Sequence, residues 1–191
     1  RSIPPALAVI ASVSQVSNQQ LLWAQKQGAY LVSVPIDRLI LGRTLPEDIA
    51  MQAVQALQQG KDVLLASAAS ADREQGLAKA DEAAKEAGMP LEQVSFYTQD
   101  IIGKIARLVL EQFRPSGVFL TGGDTAISFM RSLGASGSRI ETEILVGIPM
   151  MRLRGGAWDG LRMVTKAGAF GREDAIDYAL RKLKEVELDH E

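Results

Sequence analysis

The chain has 191 residues, 21 Lys and Arg against 23 Asp and Glu, a single His and no Cys. That length suits one domain with a core large enough to hold without staples. The absent thiols exclude disulfides, Cys-ligated zinc, Fe–S clusters and cysteine nucleophiles. With the only histidine at His190, Ser-His-Asp hydrolysis and His-rich metal sites are set aside, and a net charge of −2 supplies no basic field for nucleic acid.

Residues 6–13 (ALAVIASV) are a short apolar run behind Pro4 and Pro5 and predict a buried strand. Ser17 is a candidate N-cap for a helix ending at Gly28, and residues 31–34 predict a second strand. Thr44 to Glu47 has the capping-box pattern with Pro in the first turn. It opens a helix whose stripe is Ile49, Ala53 and Leu57 and which stops at Gly60. Residues 62–66 predict a third strand. The Ala-, Glu- and Lys-rich residues 70–94 read as an exposed helix and a turn at Gly88. A longer helix is predicted from about Thr98, with Ile102, Ala106, Val109 and Phe113 at helical spacing.

Next come a strand from Val118, a double-glycine turn and a helix ending at Gly134. Residues 140–146, 150–153 and 161–166 predict short strands. The segments between them are too short for crossover helices, so antiparallel pairing is expected. Residues 172–187 close the chain as a helix striped by Ile176, Ala179, Leu180 and Leu183. Trp23, Trp158, Met150 and Met151 read as packing residues. The expected architecture is a three-layer α/β/α domain with a mixed, partly parallel sheet.

Three turns carry the candidate chemistry. Residues 121–126 (TGGDTA) let a backbone leave a strand sharply and open a helix, whose N-terminus attracts anions. Asp124 can approach a phosphate-bound Mg²⁺ or cap the helix, and Thr125 offers a hydroxyl. The same residues also serve a plain strand–helix turn. Residues 166–171 (KAGAFG) repeat the logic, with Gly168 allowing close approach and Lys166 a charge. Ser12, Ser14 and Ser17 follow the first strand, where hydroxyls can meet a phosphate or ribose or make local turns. Gly147 in residues 147–149 (GIP) is a fourth glycine turn. Arg152, Arg154, Arg162, Lys166 and Arg172 make this half locally basic, most simply as a solvated face. Neither a Walker A loop nor a G-x-G-x-x-G after the first strand occurs.

Taken in order, residues 119–126 (FLTGGDTA), 147–149 and 166–171, with 11–17 (ASVSQVS) and Gln20, resemble the C-terminal nucleotide-binding domain of the four-carbon acid sugar kinases. That family includes threonate and erythronate kinases. Ala11 and Gln15 stand where the family has Gly and Pro, Ser17 where it has Thr, and Ala167 where it has Ser. The resemblance implies ATP and Mg²⁺ as cofactors, bound through Ser12 or Ser14, Gly122, Gly123, Asp124, Thr125 and Gly168, with Gly147 and Lys166 contributing. It implies a catalytic part for Asp124, no dedicated protein metal site, and transfer of the ATP γ-phosphate to a hydroxyl of a small sugar acid. The family's N-terminal domain, which binds the sugar acid and supplies the base, has no counterpart here. The chain is therefore expected to be the C-terminal part of a protein about twice its size, inactive alone and compatible with a homo-oligomer. No run approaches the roughly 18 apolar residues of a membrane helix, and RSIPPALAVI lacks a signal-peptide layout, so a cytoplasmic place is expected. A non-catalytic nucleotide-sensing or interaction module on the same fold is the alternative.

Overall fold

Side-chain alternation along the strands decides the layering. In the computed structural model, which describes residues 2–67, 70 and 72–185, β1 (Leu7–Ile10) sends Leu7 and Val9 to one core and Ala8 and Ile10 to the other. In β3 (Val63–Ser67), Val63 and Leu65 face the first core, Leu64 and Ala66 the second; β4 (Gly117–Thr121) divides Val118 and Leu120 from Phe119 in the same way. Strands buried on both faces need helices on both sides. On the first face lie α2 (Ile36–Ile40), α3 (Pro46–Gln58), α4 (Arg73–Ala87), α5 (Val94–Gln112) and α6 (Gly123–Ser132). The second face is covered by α1 (Gln15–Lys26) and α7 (Ala175–Leu183).

The remaining strands are β2 (Tyr30–Val34), β5 (Gly137–Leu145), β6 (Ile148–Arg154) and β7 (Arg162–Lys166), and the sheet order is β2-β3-β1-β4-β7-β6-β5. Strands β2, β3, β1, β4 and β7 run parallel; β6 is antiparallel to both β7 and β5. The three-layer architecture and the antiparallel tail are thus as expected from sequence, with β7 returning to pair in parallel with β4. From β1 the chain leaves toward β2, and from β4 it leaves toward β5, on opposite sides of the sheet. The crevice between the carboxyl ends of β1 and β4 is therefore a topological switch point, where open α/β sheets place ligands.

Several boundaries differ from the sequence reading. Ser14, not Ser17, is the N-cap of α1: its side chain accepts the Ser17 N–H. The capping box at Thr44 does not form. Leu45 occupies the cap position with no side-chain bond, while the Thr44 hydroxyl accepts from Arg38 Nε at 3.0 Å. Helix α5 starts four residues before Thr98, because a 3₁₀ turn at Leu91–Gln93 feeds it. Helix α7 begins at Ala175, since Arg172 pairs with Asp174 ahead of it. The last residues assigned to that helix, 186 and 187, and His190 lie outside the described residues. Among the described residues no helix is long and apolar enough to cross a membrane.

Candidate functional site

Because β1, β4 and β7 are parallel neighbours, the turns that follow them converge on one edge of the sheet. They are also bonded to each other. Thr121, fully buried at the end of β4, accepts at Oγ1 from Ala11 N at 3.0 Å and Ser12 N at 3.2 Å. Gly122 N donates to Lys166 O at 2.9 Å, joining the β4 and β7 turns. Across the crevice the Gly168 carbonyl accepts from Ser14 Oγ at 3.0 Å and Ser17 Oγ at 2.7 Å. A Cβ built on Gly168 would overlap Ser12 Oγ and lie 2.7 Å from Ser12 Cβ. Glycine is needed there for closeness, not for an unusual φ.

At the second glycine turn the requirement is conformational. Gly122 has φ +88 and ψ +126, a combination L side chains avoid. It caps α6 through its backbone: Ala126 N donates to Gly122 O at 3.1 Å. The N–H groups of Asp124 and Thr125 fall in the first turn, ahead of the first intrahelical bond and at the positive end of the helix dipole. Asp124 is exposed and makes no side-chain cap, which sets aside its reading as an N-cap. Thr125 is buried beneath the turn.

Ser12 and Ser14 work locally. Ser12 Oγ donates to Ser14 Oγ at 3.1 Å, and Ser14 Oγ in turn accepts from Ser17 N at 3.1 Å. Replacing Ser14 by Ala is expected to remove both the cap and the Gly168 bond, costing about 1–2 kcal/mol. Read as a thermal midpoint, that is a fall of roughly 2–8 °C, measured against a Gln15→Ala control on the exposed neighbour.

Lys166 is 2% exposed, and its ammonium donates to the carbonyls of Ala167 (2.6 Å), Gly168 (3.0 Å) and Phe170 (2.9 Å). All three donors are engaged, so it fastens the 167–170 loop from inside instead of reaching outward with a charge. Burial pulls its pKa down to about 8. Gln20, also buried, donates to the carbonyls of Phe170 and Arg172 and fixes the loop's far end to α1. Gly147, in the β5–β6 turn at φ +75, lies under the Phe170 ring: a Cβ there would sit 2.9 Å from the ring edge. The antiparallel β6 brings this turn to the same edge.

The basic stretch is not one patch. Arg162 starts β7 at the opposite edge and donates to Glu185 O, Arg152 pairs with Glu141, and Arg172 with Asp174. Lys166 is the member of that group whose side chain is bonded into the 167–170 loop. Sequence reasoning missed Thr121 as a junction and Ser70, whose hydroxyl donates to Ser12 O at 2.9 Å. The signal for Thr121 was a lone hydroxyl ending an apolar strand; none pointed to Ser70. Among the described residues no three His, Cys, Asp or Glu side chains gather as a metal site. The edge thus offers backbone N–H groups, glycine clearance and a positive helix end, a surface suited to an oxyanion.

The model of a family described as the nucleotide-binding C-terminal domain matches residues 7–176. A D-threonate kinase of Salmonella typhimurium is 29% identical over 185 residues, covering 95% of this chain and 43% of that protein. A D-erythronate kinase of Heliobacterium modesticaldum is 32% identical over 98 residues, covering 48% of this chain and 22% of that protein. Among solved structures, a Bordetella bronchiseptica protein with a domain of unknown function, seen with citrate as a domain-swapped dimer, has TM-score 0.73 and 26% identity. That match covers 97% of this chain and 42% of that one, so the chain spans less than half the length of the relatives it matches.

Proposed function

Because the chain belongs to the nucleotide-binding C-terminal domains of the four-carbon acid sugar kinase family, we propose that it binds ATP with Mg²⁺ at the β1–β4–β7 edge. The whole protein, on this reading, transfers the γ-phosphoryl group to a hydroxyl of a four-carbon acid of the threonate or erythronate type. The observation that carries the reading is the convergence of the 11–14, 121–125 and 166–171 turns at the switch point between β1 and β4. The named kinases among the relatives support the reaction class.

In phosphoryl transfer the protein mainly positions the group and neutralises its charge. Here the N–H groups of Gly123 to Thr125 hold phosphate oxygens. Gly122 and Gly168 keep side chains out of the path, and Lys166 holds the 167–170 loop in place. Mg²⁺ supplies charge neutralisation when bound, with Asp124 the carboxylate in α6's first turn that can approach it directly or through water. A second domain of the same protein brings the sugar acid and the base that takes the hydroxyl proton.

Thermal denaturation with Mg-ATP, against Mg-GTP, tests the binding claim. At about 100 times Kd a ligand adds about 2.7 kcal/mol, a rise of roughly 5–10 °C for a chain of this size. No rise with either nucleotide would count against the reading. For Asp124→Asn the expected result is unchanged folding and ATP affinity without metal, with a sharp fall in kcat of the whole enzyme. A normal kcat would remove Asp124 from the chemistry.

A further inference from the structure

We propose that the amino edge of the sheet holds a small oxyanion of two or more charges, bound across a row formed by Arg139, Arg152 and Arg162. The inference stands apart from the nucleotide reading. Strand register builds the row: Arg139 of β5 lies directly opposite Arg152 of β6, and Arg152 directly opposite Arg162 of β7. Side chains at directly opposite positions share a face, with Cβ atoms about 4.5–5.5 Å apart, and like charges placed so repel each other. Two such pairs in succession set three guanidinium groups over two strand spacings, about 10 Å.

The face is the one that α7 covers, since Met150 and Val164, two residues along β6 and β7, belong to the second core. The row runs on to Gly117 of β4, opposite Arg162, where a Cβ would sit 2.5 Å from Leu183 of α7. Helix α7 therefore ends against β4. Beside that end a groove of about 620 Å³ opens, lined by Arg114, Arg152, Arg162 and Lys184, with Glu185 the one acid among its described lining residues. That volume falls within the roughly 300–1,000 Å³ of small-ligand pockets.

Existing bonds engage part of this charge and hold the side chains in place before a ligand arrives. Glu141 pairs with Arg152, Asp62 pairs with Lys184, and the Glu185 carbonyl accepts from Arg162. All three cations are half-buried. Arg139 and Arg114 are exposed and form no ion pair among the described residues; Arg114 donates to the Asp159 carbonyl at 3.4 Å. Guanidinium forks take phosphate or carboxylate oxygens two at a time, so a phosphorylated molecule and a polycarboxylate present the same chemistry. Glu141 and Glu185 border the row, and a long polyanion such as nucleic acid would run onto them. A compact anion does not. Strand β7 separates this place from the glycine turns: Arg162 opens it and Lys166 closes it, about 13 Å apart. An occupant here touches none of the groups assigned to the nucleotide.

The test titrates pyrophosphate and propane-1,2,3-tricarboxylate, in magnesium-free buffer, by calorimetry and by amide-resolved NMR. Three proteins are compared: the unaltered chain, the double variant Arg139→Gln with Arg114→Gln, and a control that loses the same charge elsewhere, Lys79→Gln with Lys104→Gln. All four positions are exposed, and thermal midpoints verify folding. The expected result is saturable binding, with shifts at residues 139, 152, 160–162 and 184–185. Affinity falls about tenfold or more in the arginine variant and stays in the control. Whichever anion binds more tightly identifies the source as phosphoryl or carboxylate. Binding by neither anion at millimolar concentration would overturn the site, as would equal weakening in both double variants or an arginine variant that binds like the unaltered chain. Shifts confined to the 11–14, 122–125 and 167–171 turns would overturn it too, since the anion would then sit at the nucleotide edge.

Discussion

A valine at Gly168 is expected to abolish ATP binding while most of the fold survives. A Cβ at this position would overlap Ser12 Oγ and lie 2.7 Å from Ser12 Cβ, so the β1 and β7 turns must separate. Forcing extra atoms into a packed contact costs typically about 1–3 kcal/mol. The strain falls on the turns, since the strands behind them are held by their own ladders. The expected readings are a thermal midpoint lower by roughly 2–10 °C and ATP affinity reduced by about 10²-fold or more, the effect of misplacing a binding group by an ångström. Gly103→Ala is the matched control, because a Cβ at Gly103 meets nothing within 4 Å. Wild-type affinity in folded Gly168→Val would remove the 166–171 turn from the site.

Lys166→Met is expected to separate stability from binding. Two effects oppose each other in the free chain. Losing the ammonium removes a charge-assisted donor from three carbonyls, of which that of Ala167 keeps only the Phe170 N–H at 3.2 Å, a loss of about 1–3 kcal/mol. The Gly168 and Phe170 carbonyls keep Ser14, Ser17 and Gln20. Against this, the desolvation of a buried cation disappears, and apolar replacements of buried charges are often neutral. The midpoint at pH 7 should therefore move little, whereas the loop loses its inner clamp and ATP-induced stabilisation falls. The sign of the pH effect follows from linkage. In the folded chain Lys166 releases its proton at about 8, against an ordinary value of 10.5, so between those limits the unfolded chain holds more protons. Stability from this group rises as pH climbs from about 8 and is lost as pH falls back through it. Urea midpoints from pH 7 to 10 should show that rise in the wild type relative to Lys166→Met. Parallel pH curves would contradict the buried-cation account.

Much of the fold was legible because strands buried on both faces read as short apolar runs. Residues 6–13, 62–66 and 118–121 announced the sheet centre, and the close spacing after residue 140 announced the antiparallel tail. Local competition was not legible. Thr44 matches a capping box, yet Arg38 takes its hydroxyl because α2 brings that side chain alongside. Ser17 reads as the cap, yet Ser14 accepts its N–H and takes that position, and both hydroxyls are turned onto the Gly168 carbonyl, a partner far away in sequence. At the candidate site, the glycines were readable as turns, but strand order alone puts β1, β4 and β7 side by side. Lys166 looked like an outward charge next to glycines. Its confinement follows from three carbonyls folded back over it, which no spacing in residues 166–171 reveals. The five basic residues from 152 to 172 looked like one patch because adjacency in sequence hides that opposite ends of a strand lie on opposite edges of a sheet.

The most direct measurement is an amide-resolved NMR titration of the chain with Mg-ATP. The account predicts saturable shifts concentrated in the 11–14, 122–125 and 167–171 turns, three segments that meet only at the switch point. Shifts confined to another part of the molecule, or none at nucleotide concentrations well above those that saturate ordinary kinases, would contradict it.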